Sequence, residues 1–261
     1  MNDILKIIAD NKRKEIEALY GSVHFQSCHN IKDTQPVVNM SKRLKESPTG
    51  IIAEFKRRSP SKGEISPMAD ISQIIPEYVK GGATACSVLT DTRFFGGSNY
   101  DLALANTLAK GIPLLRKDFI ISKIQIEEAR ELGASAILLI ATILSKEELE
   151  TFNDYAHSLK MEALIEIHEI KELDKLTFKP DMLGVNNRNL SSFHTDVNHS
   201  LEIAGSLPKD CILIAESGIK SPEDVKRLRD IGFSGFLIGE TFMSTPNPGE
   251  TLKKFIDEIK G

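Results

Sequence analysis

Residues 134–168 read ASAILLIATILSKEELETFNDYAHSLKMEALIEIH. An apolar run of strand length leads to Ser145 with Glu148 three residues on, a helix-start pattern, then to an amphipathic stretch and a second apolar run. The two runs are apolar on both faces in their first halves, as parallel strands are when helices cover them outside and side chains fill the space inside.

Outward from this unit, the alternation repeats eight times between residues 50 and 261, with strand candidates GIIAEFK, ATACSVLT, IPLLRKD, ASAILLIA, MEALIEIH, DMLGVNNR, CILIAES and GFLIGE. Ser98 with Asp101 and Ser221 with Asp224 fit further capping boxes, the latter with Pro222 at the first helical position. Gly81 with Gly82, Gly111, Gly133, Gly205 and Gly232 supply helix stops. Antiparallel hairpin signals are missing, and no GxGxxG follows the first strand. An α/β fold, a single (β/α)8 TIM barrel, is therefore the first choice and an open doubly wound sheet the second.

One domain over 1–261 is expected, with a helical extension over 1–47 and eight βα units over 48–261. Ile4, Leu5, Ile7, Ile8, Ile16 and Leu19 stand at helical spacing in the extension, and a shorter helix is expected around 41–46. The extension should dock on the barrel. Pro76 should kink the first barrel helix or shift its boundary. No further enzyme is expected after the eighth helix.

A length of 261 residues suits one such barrel. Thirty-three Lys and Arg against 37 Asp and Glu give a net charge of −4, with the basic residues dispersed, which argues against a nucleic-acid or anionic-membrane partner. The longest apolar stretches, such as 134–144, are too short for a transmembrane helix, and no secretory signal follows Met1, so a cytoplasmic location is expected. Cys28, Cys86 and Cys211 suggest neither a disulfide framework nor a zinc site. His24, His29, His157, His168, His194 and His199 form no HExxH or His-x-His pattern, so no metal is expected, and no GxSxG elbow is present.

Barrel enzymes build their sites at strand ends. Glu54 and Lys56 are two apart on the first strand, and Lys117, Glu166 and Glu216 end the third, fifth and seventh. These odd strands feed one layer of the interior, so the side chains are expected to converge as general acids and bases; the bland alternative is an ion-pair network closing the barrel. Asn186 and Arg188, two apart, join from the sixth strand. Ser217 and Gly218 after strand seven and Gly239 before a short helix after strand eight fit a phosphate site, completed by Ser59 and Lys56. Phe94, Phe95 and Phe119 offer a stacking surface for an aromatic group, or ordinary packing.

Taken together, ILKIIADNKRKEIE, EFKRRSPSKG, SVLTDTRFFGGS, LLRKDFI, ALIEIH, GVNNRNL, AESGI and FLIGE make the whole chain resemble the indole-3-glycerol-phosphate synthases of tryptophan biosynthesis. The resemblance implies a carbon–carbon lyase that closes 1-(2-carboxyphenylamino)-1-deoxyribulose 5-phosphate to indole-3-glycerol phosphate, releasing carbon dioxide and water without a cofactor. It implies Lys117 as general acid, Glu166 in the dehydration, and Glu54 and Lys56 in orientation and proton transfer. Asn186 and Arg188 would hold the substrate hydroxyl and carboxylate, and Glu216 would position its neighbours. Ser59, Ser217, Gly218, Gly239 and the backbone of Glu240 would hold the phosphate, with the Glu240 carboxylate turned away, and Phe95 and Phe119 the anthranilate ring. The small-molecule substrate would be the only obligatory partner of a monomer, with association among tryptophan enzymes open. A sugar-phosphate isomerase or Schiff-base aldolase using Lys56 or Lys117, and a non-catalytic phosphate-ligand barrel, stand as alternatives.

Overall fold

The computed structural model describes residues 3–20, 37–189 and 193–261. Cys28, His24, His29 and Leu190 lie outside the described residues. In chain order the strands are β1 (Ile51–Phe55), β2 (Arg58–Ser59), β3 (Gly63–Glu64), β4 (Ala85–Leu89), β5 (Leu114–Lys117), β6 (Ala136–Ile140), β7 (Glu162–Ile167), β8 (Met182–Asn186), β9 (Ile212–Glu216) and β10 (Gly235–Ile238). The helices are α1 (Asp3–Tyr20), α2 (Met40–Glu46), α3 (Ile71–Gly81), α4 (Thr92–Phe95), α5 (Asn99–Leu108), α6 (Lys123–Glu131), α7 (Lys146–Ser158), α8 (Asn198–Ile203), α9 (Pro222–Asp230), α10 (Glu240–Met243) and α11 (Pro248–Lys260).

Eight strands close a parallel barrel in the order β1, β4, β5, β6, β7, β8, β9, β10, and β10 pairs back onto β1 through Ile51 opposite Phe236. That closing pair excludes the open sheet. Every residue of β1, β4 and β6 is buried, which explains why these strands read as continuous apolar runs rather than as alternating ones.

Local chemistry sets most boundaries. Ser145 and Ser221 form full capping boxes with Glu148 and Asp224, and Pro222 sits in the first turn. Ser98 also caps its helix, but the Asp101 carboxylate does not complete the box. Arg57 takes it in a bidentate pair at 2.7 and 2.9 Å, a stronger partner than a backbone N–H. Gly82, Gly111, Gly133 and Gly232 have φ between +79° and +107°, as helix stops require, whereas Gly205 lies inside a 3-10 turn over Ala204–Ser206. Helix α3 runs through Pro76 without a shifted boundary, held by buried Ile71, Ile74, Ile75 and Tyr78.

Two crossovers depart from expectation. The first carries the small antiparallel β2–β3 hairpin, and the fifth is a 3-10 helix over Ile170–Lys175 rather than an α-helix. Only 14 residues separate β7 from β8. Within that span the Glu172 carboxylate accepts from the N–H groups of His168 (2.6 Å) and Glu169 (3.1 Å), which ties the turn back to the strand end.

The extension grips both ends of the barrel. At the amino-terminal end the Glu162 carboxylate caps α2, accepting from the backbone N–H groups of Met40 and Ser41. At the opposite end α1 lies over the barrel mouth. Its Ile4, Leu5 and Ile8 line the central cavity, while Ile7, expected on the apolar face, is 53% exposed.

Candidate active site

A cavity of about 590 Å³ opens at the carboxyl ends of the strands. Fourteen of the fifteen residues singled out from the sequence line it: Glu54, Lys56, Ser59, Phe95, Lys117, Phe119, Glu166, Asn186, Arg188, Glu216, Ser217, Gly218, Gly239 and Glu240. Phe94 does not; the Arg93 guanidinium lies 5.4 Å from its ring centre.

The period of two at each strand end explains the placement. In β5, Lys117 faces the barrel interior. Its neighbours Arg116 and Asp118 bond to each other at 3.3 Å and to the layer outside, Arg116 through the Gln125 carbonyl and Glu128. The odd strands of the barrel, β1, β5, β7 and β9, thus deliver charge to the interior, while Leu89, Leu138 and Leu237 from even strands supply apolar wall.

Lys117 is the centre of the charge network. Its ammonium lies 3.2 Å from Glu166 Oε2 and 3.5 Å from Glu216 Oε2. Burial works against that ammonium, but Glu166, Glu216 and Glu54 outweigh it and hold its proton more tightly than water would. Lys56 Nζ sits 2.5 Å from Glu54 Oε1. For Glu166, too, burial acts first and favours the neutral form. Lys117, His168 and the Asn186 amide outweigh it, so the carboxylate stays ionised. His168 Nε2 stands 3.5 Å from Glu166 Oε1, with Nδ1 3.2 Å from Thr142 Oγ1.

Glu216 behaves oppositely. Burial and then the charge of Glu166 push its carboxyl up to about 8. Among the described residues neither of its buried oxygens has a hydrogen-bond partner, which favours the neutral, protonated carboxyl over the charged one. Two glycines make this crowding feasible. A Cβ on Gly184 would meet Glu216 Oε1, and one on Gly239 would meet Glu54 Oε1.

At one end of the cavity Ser217 (φ +67°) and Gly218 (φ +78°) are consecutive left-handed residues, facing the first turn of α10 and the β2–β3 hairpin with Ser59. Here the Glu240 carboxylate lies 3.2 Å from Lys62 Nζ and 3.6 Å from an Arg188 nitrogen. In the same cavity lining, the rings of Phe95 and Phe119 pack with centroids 5.9 Å apart.

Several participants were not read from the sequence. Lys62, Lys220 and the α1 residues Ile4, Leu5 and Ile8 line the cavity. Lys12 of α1 is buried against Asp91 (3.2 Å) and Asp118 (3.1 Å), the residue after Lys117. Burial alone would loosen its proton, but Asp118, Glu15 and Asp91 raise its affinity instead.

The barrel superposes on thiamine phosphate pyrophosphorylase from Pyrococcus furiosus with a TM-score of 0.58 at 14% identity, over 82% of this chain and 98% of that one, a likeness of fold alone. Sequence relatives are far closer. Indole-3-glycerol phosphate synthase of Bacteroides thetaiotaomicron is 48% identical over 100% of both chains, and that of Delftia acidovorans is 40% identical over 97% of this chain and 99% of its own. The family model described as indole-3-glycerol phosphate synthase matches residues 5–255. With that match spanning the strand-end carboxylates, the lysines and both glycine-bearing loops, the chain belongs to the indole-3-glycerol phosphate synthase family.

Proposed function

We propose that this cavity closes the pyrrole ring of 1-(2-carboxyphenylamino)-1-deoxyribulose 5-phosphate, yielding indole-3-glycerol phosphate, carbon dioxide and water. The observation that carries the reading is the Lys117 ammonium held between Glu166 and Glu216, in a cavity with a glycine-bearing backbone turn at one end and two phenylalanines at the other. The phosphate would lie against Ser59, Ser217, Gly218, Gly239 and the Glu240 N–H, and the anthranilate ring against Phe95 and Phe119.

Attack of the ring carbon on the ketone develops negative charge on oxygen, which Lys117 stabilises and protonates. Loss of carbon dioxide restores the ring. In the dehydration that follows, Lys56 protonates the departing hydroxyl, which leaves as water, while the ionised Glu166 takes the proton whose loss forms the indole double bond and Glu216 keeps Glu166 in place. Glu54 orients Lys56 beside the reacting carbons, and Asn186 and Arg188 hold the substrate hydroxyl and carboxylate. The carbonyl addition, the decarboxylation and the loss of water involve no redox change and need only proton transfers from side chains, so the reading calls for no cofactor. Every group comes from one chain, and no second subunit is required. A phosphorylated substrate does not cross a bilayer unaided, which supports a cytoplasmic location for the enzyme.

A Schiff-base aldolase needs a neutral lysine, and the carboxylates around Lys117 oppose that. The deciding experiment supplies substrate labelled at the carboxylate carbon, with borohydride present. The synthase reading expects one labelled carbon dioxide per indole-3-glycerol phosphate and no covalent adduct; a reduced adduct without decarboxylation would establish the aldolase instead.

A further inference from the structure

One buried polar side chain beside the cavity has no part in the chemistry above. Asn187 is 4% exposed and is absent from the cavity lining. Its Oδ1 accepts from the N–H (3.0 Å) and the hydroxyl (2.7 Å) of Ser200, and its Nδ2 donates to the carbonyl oxygen of Ser217 (3.1 Å). A backbone N–H can only donate, so the Ser200 contact fixes which way the amide points. The Asn187 backbone is tied as well, donating to Glu216 O at 2.8 Å and accepting from Asp196 N at 3.1 Å.

Ser217 is where this bond matters. Its φ of +67° lies in the left-handed region, where a side chain crowds the backbone, and Gly218 continues the turn at +78°. Such a conformation persists in a non-glycine residue only when its surroundings enforce it. The Asn187 amide holds the carbonyl of that same residue.

We infer that Asn187 is a positioning residue for the phosphate cradle: by holding the Ser217 carbonyl it keeps the Ser217–Gly218 backbone in its left-handed form before a phosphate monoester arrives. The inference rests on the reading of Ser217 and Gly218 as phosphate ligands. A preset turn binds an anion without first paying for its own ordering.

The two ends of the amide can be tested separately, with inorganic phosphate as a competitive probe alongside steady-state turnover. Asn187→Asp keeps the acceptor for Ser200 and loses the donor to Ser217. It is expected to raise KM and the inhibition constant of phosphate about tenfold, the scale of one hydrogen bond, while kcat stays within about twofold. Adding Ser217→Gly, which adopts the left-handed turn freely, should restore most of the phosphate affinity. Charge repulsion from the new aspartate would not be relieved by that change. Ser200→Ala leaves the Asn187 donor in place and should lower Tm while leaving the phosphate constant within about twofold.

Three results would overturn the inference. They are phosphate affinity unchanged in Asn187→Asp, no recovery on adding Ser217→Gly, and phosphate affinity lost in Ser200→Ala in step with Tm. Phosphate that fails to compete even with the wild-type protein would instead overturn the cradle reading on which it rests.

Discussion

Gly184 of β8 leaves the space that the Glu216 carboxylate occupies; a Cβ at residue 184 would collide with Glu216 Oε1. Glu216 in turn stands 3.5 Å from Lys117, so a missing side chain on one strand sets the surroundings of the proposed acid on another. Gly184→Ala should displace the carboxylate and disturb Lys117. The expected outcome is a loss of about 1–3 kcal/mol in stability from overpacking, together with a fall in kcat that exceeds any rise in KM. Chemical denaturation and steady-state kinetics on the same preparation check both.

The pH dependence of stability follows from two shifts of opposite sign. Glu216 binds its proton more tightly in the folded chain, at about 8 against an ordinary 4.5, so its contribution is present at low pH and is lost as pH rises between those values. Glu166 is lowered, so its contribution is present above the ordinary carboxylate range and is lost in acid. Glu216→Gln mimics the protonated carboxyl. It should flatten the fall of Tm between pH 5 and 8 and shift any basic limb of kcat near pH 8 upward, since Lys117 keeps its proton through that range. An unchanged Tm profile in this variant would contradict the assignment.

Glu240 places a carboxylate among cations at the end where an anion is proposed to bind. Glu240→Gln frees Lys62 and Arg188 and removes a repulsion. Inorganic phosphate should then bind about two- to fivefold more tightly, the range of a partly exposed ion pair, and the gain should shrink as salt is added. Isothermal titration at two ionic strengths provides the reading.

Lys12 fastens α1 over the mouth by pairing with Asp91 and Asp118, which are 0% and 3% exposed. Lys12→Met strands the buried Asp91 carboxylate and leaves Asp118 with Arg116 as its remaining cation. The cost expected for breaking such a buried set is about 3–5 kcal/mol. Because α1 supplies Ile4, Leu5 and Ile8 to the cavity, KM for the substrate should rise as well.

The legible and illegible parts of this molecule divide along a physical line. Strand ends were readable because a period of two assigns each residue a side, and a Lys or Glu interrupting an apolar run stands out: Glu54, Lys117, Glu166 and Glu216 all reach the cavity. The hairpin of Arg58–Ser59 with Gly63–Glu64 was not, since two-residue strands carry no periodicity. An amphipathic helix announces that it has an apolar face but not which surface the face will cover, so the position of α1 over the mouth went unread. Lys12 looks like any residue of a solvated face until Asp91 and Asp118 are brought to it. Gly184 and Asn187 act through space they leave or bonds they make across strands, and neither leaves a local mark in the sequence. Arg116 and Asp118 could have been found, because the same alternation that points Lys117 inward points both of them out.

The central claim is that Lys117 and Glu166 divide the acid and base work of ring closure. Its most direct test is indole fluorescence on mixing the purified protein with 1-(2-carboxyphenylamino)-1-deoxyribulose 5-phosphate, with Lys117→Ala and Glu166→Ala measured beside the wild type at saturating substrate. The account predicts turnover by the wild type and a fall of about a hundredfold or more in kcat in each variant, with both still folded and still binding substrate. Turnover in Lys117→Ala within tenfold of the wild type would contradict it and place the acid on another side chain.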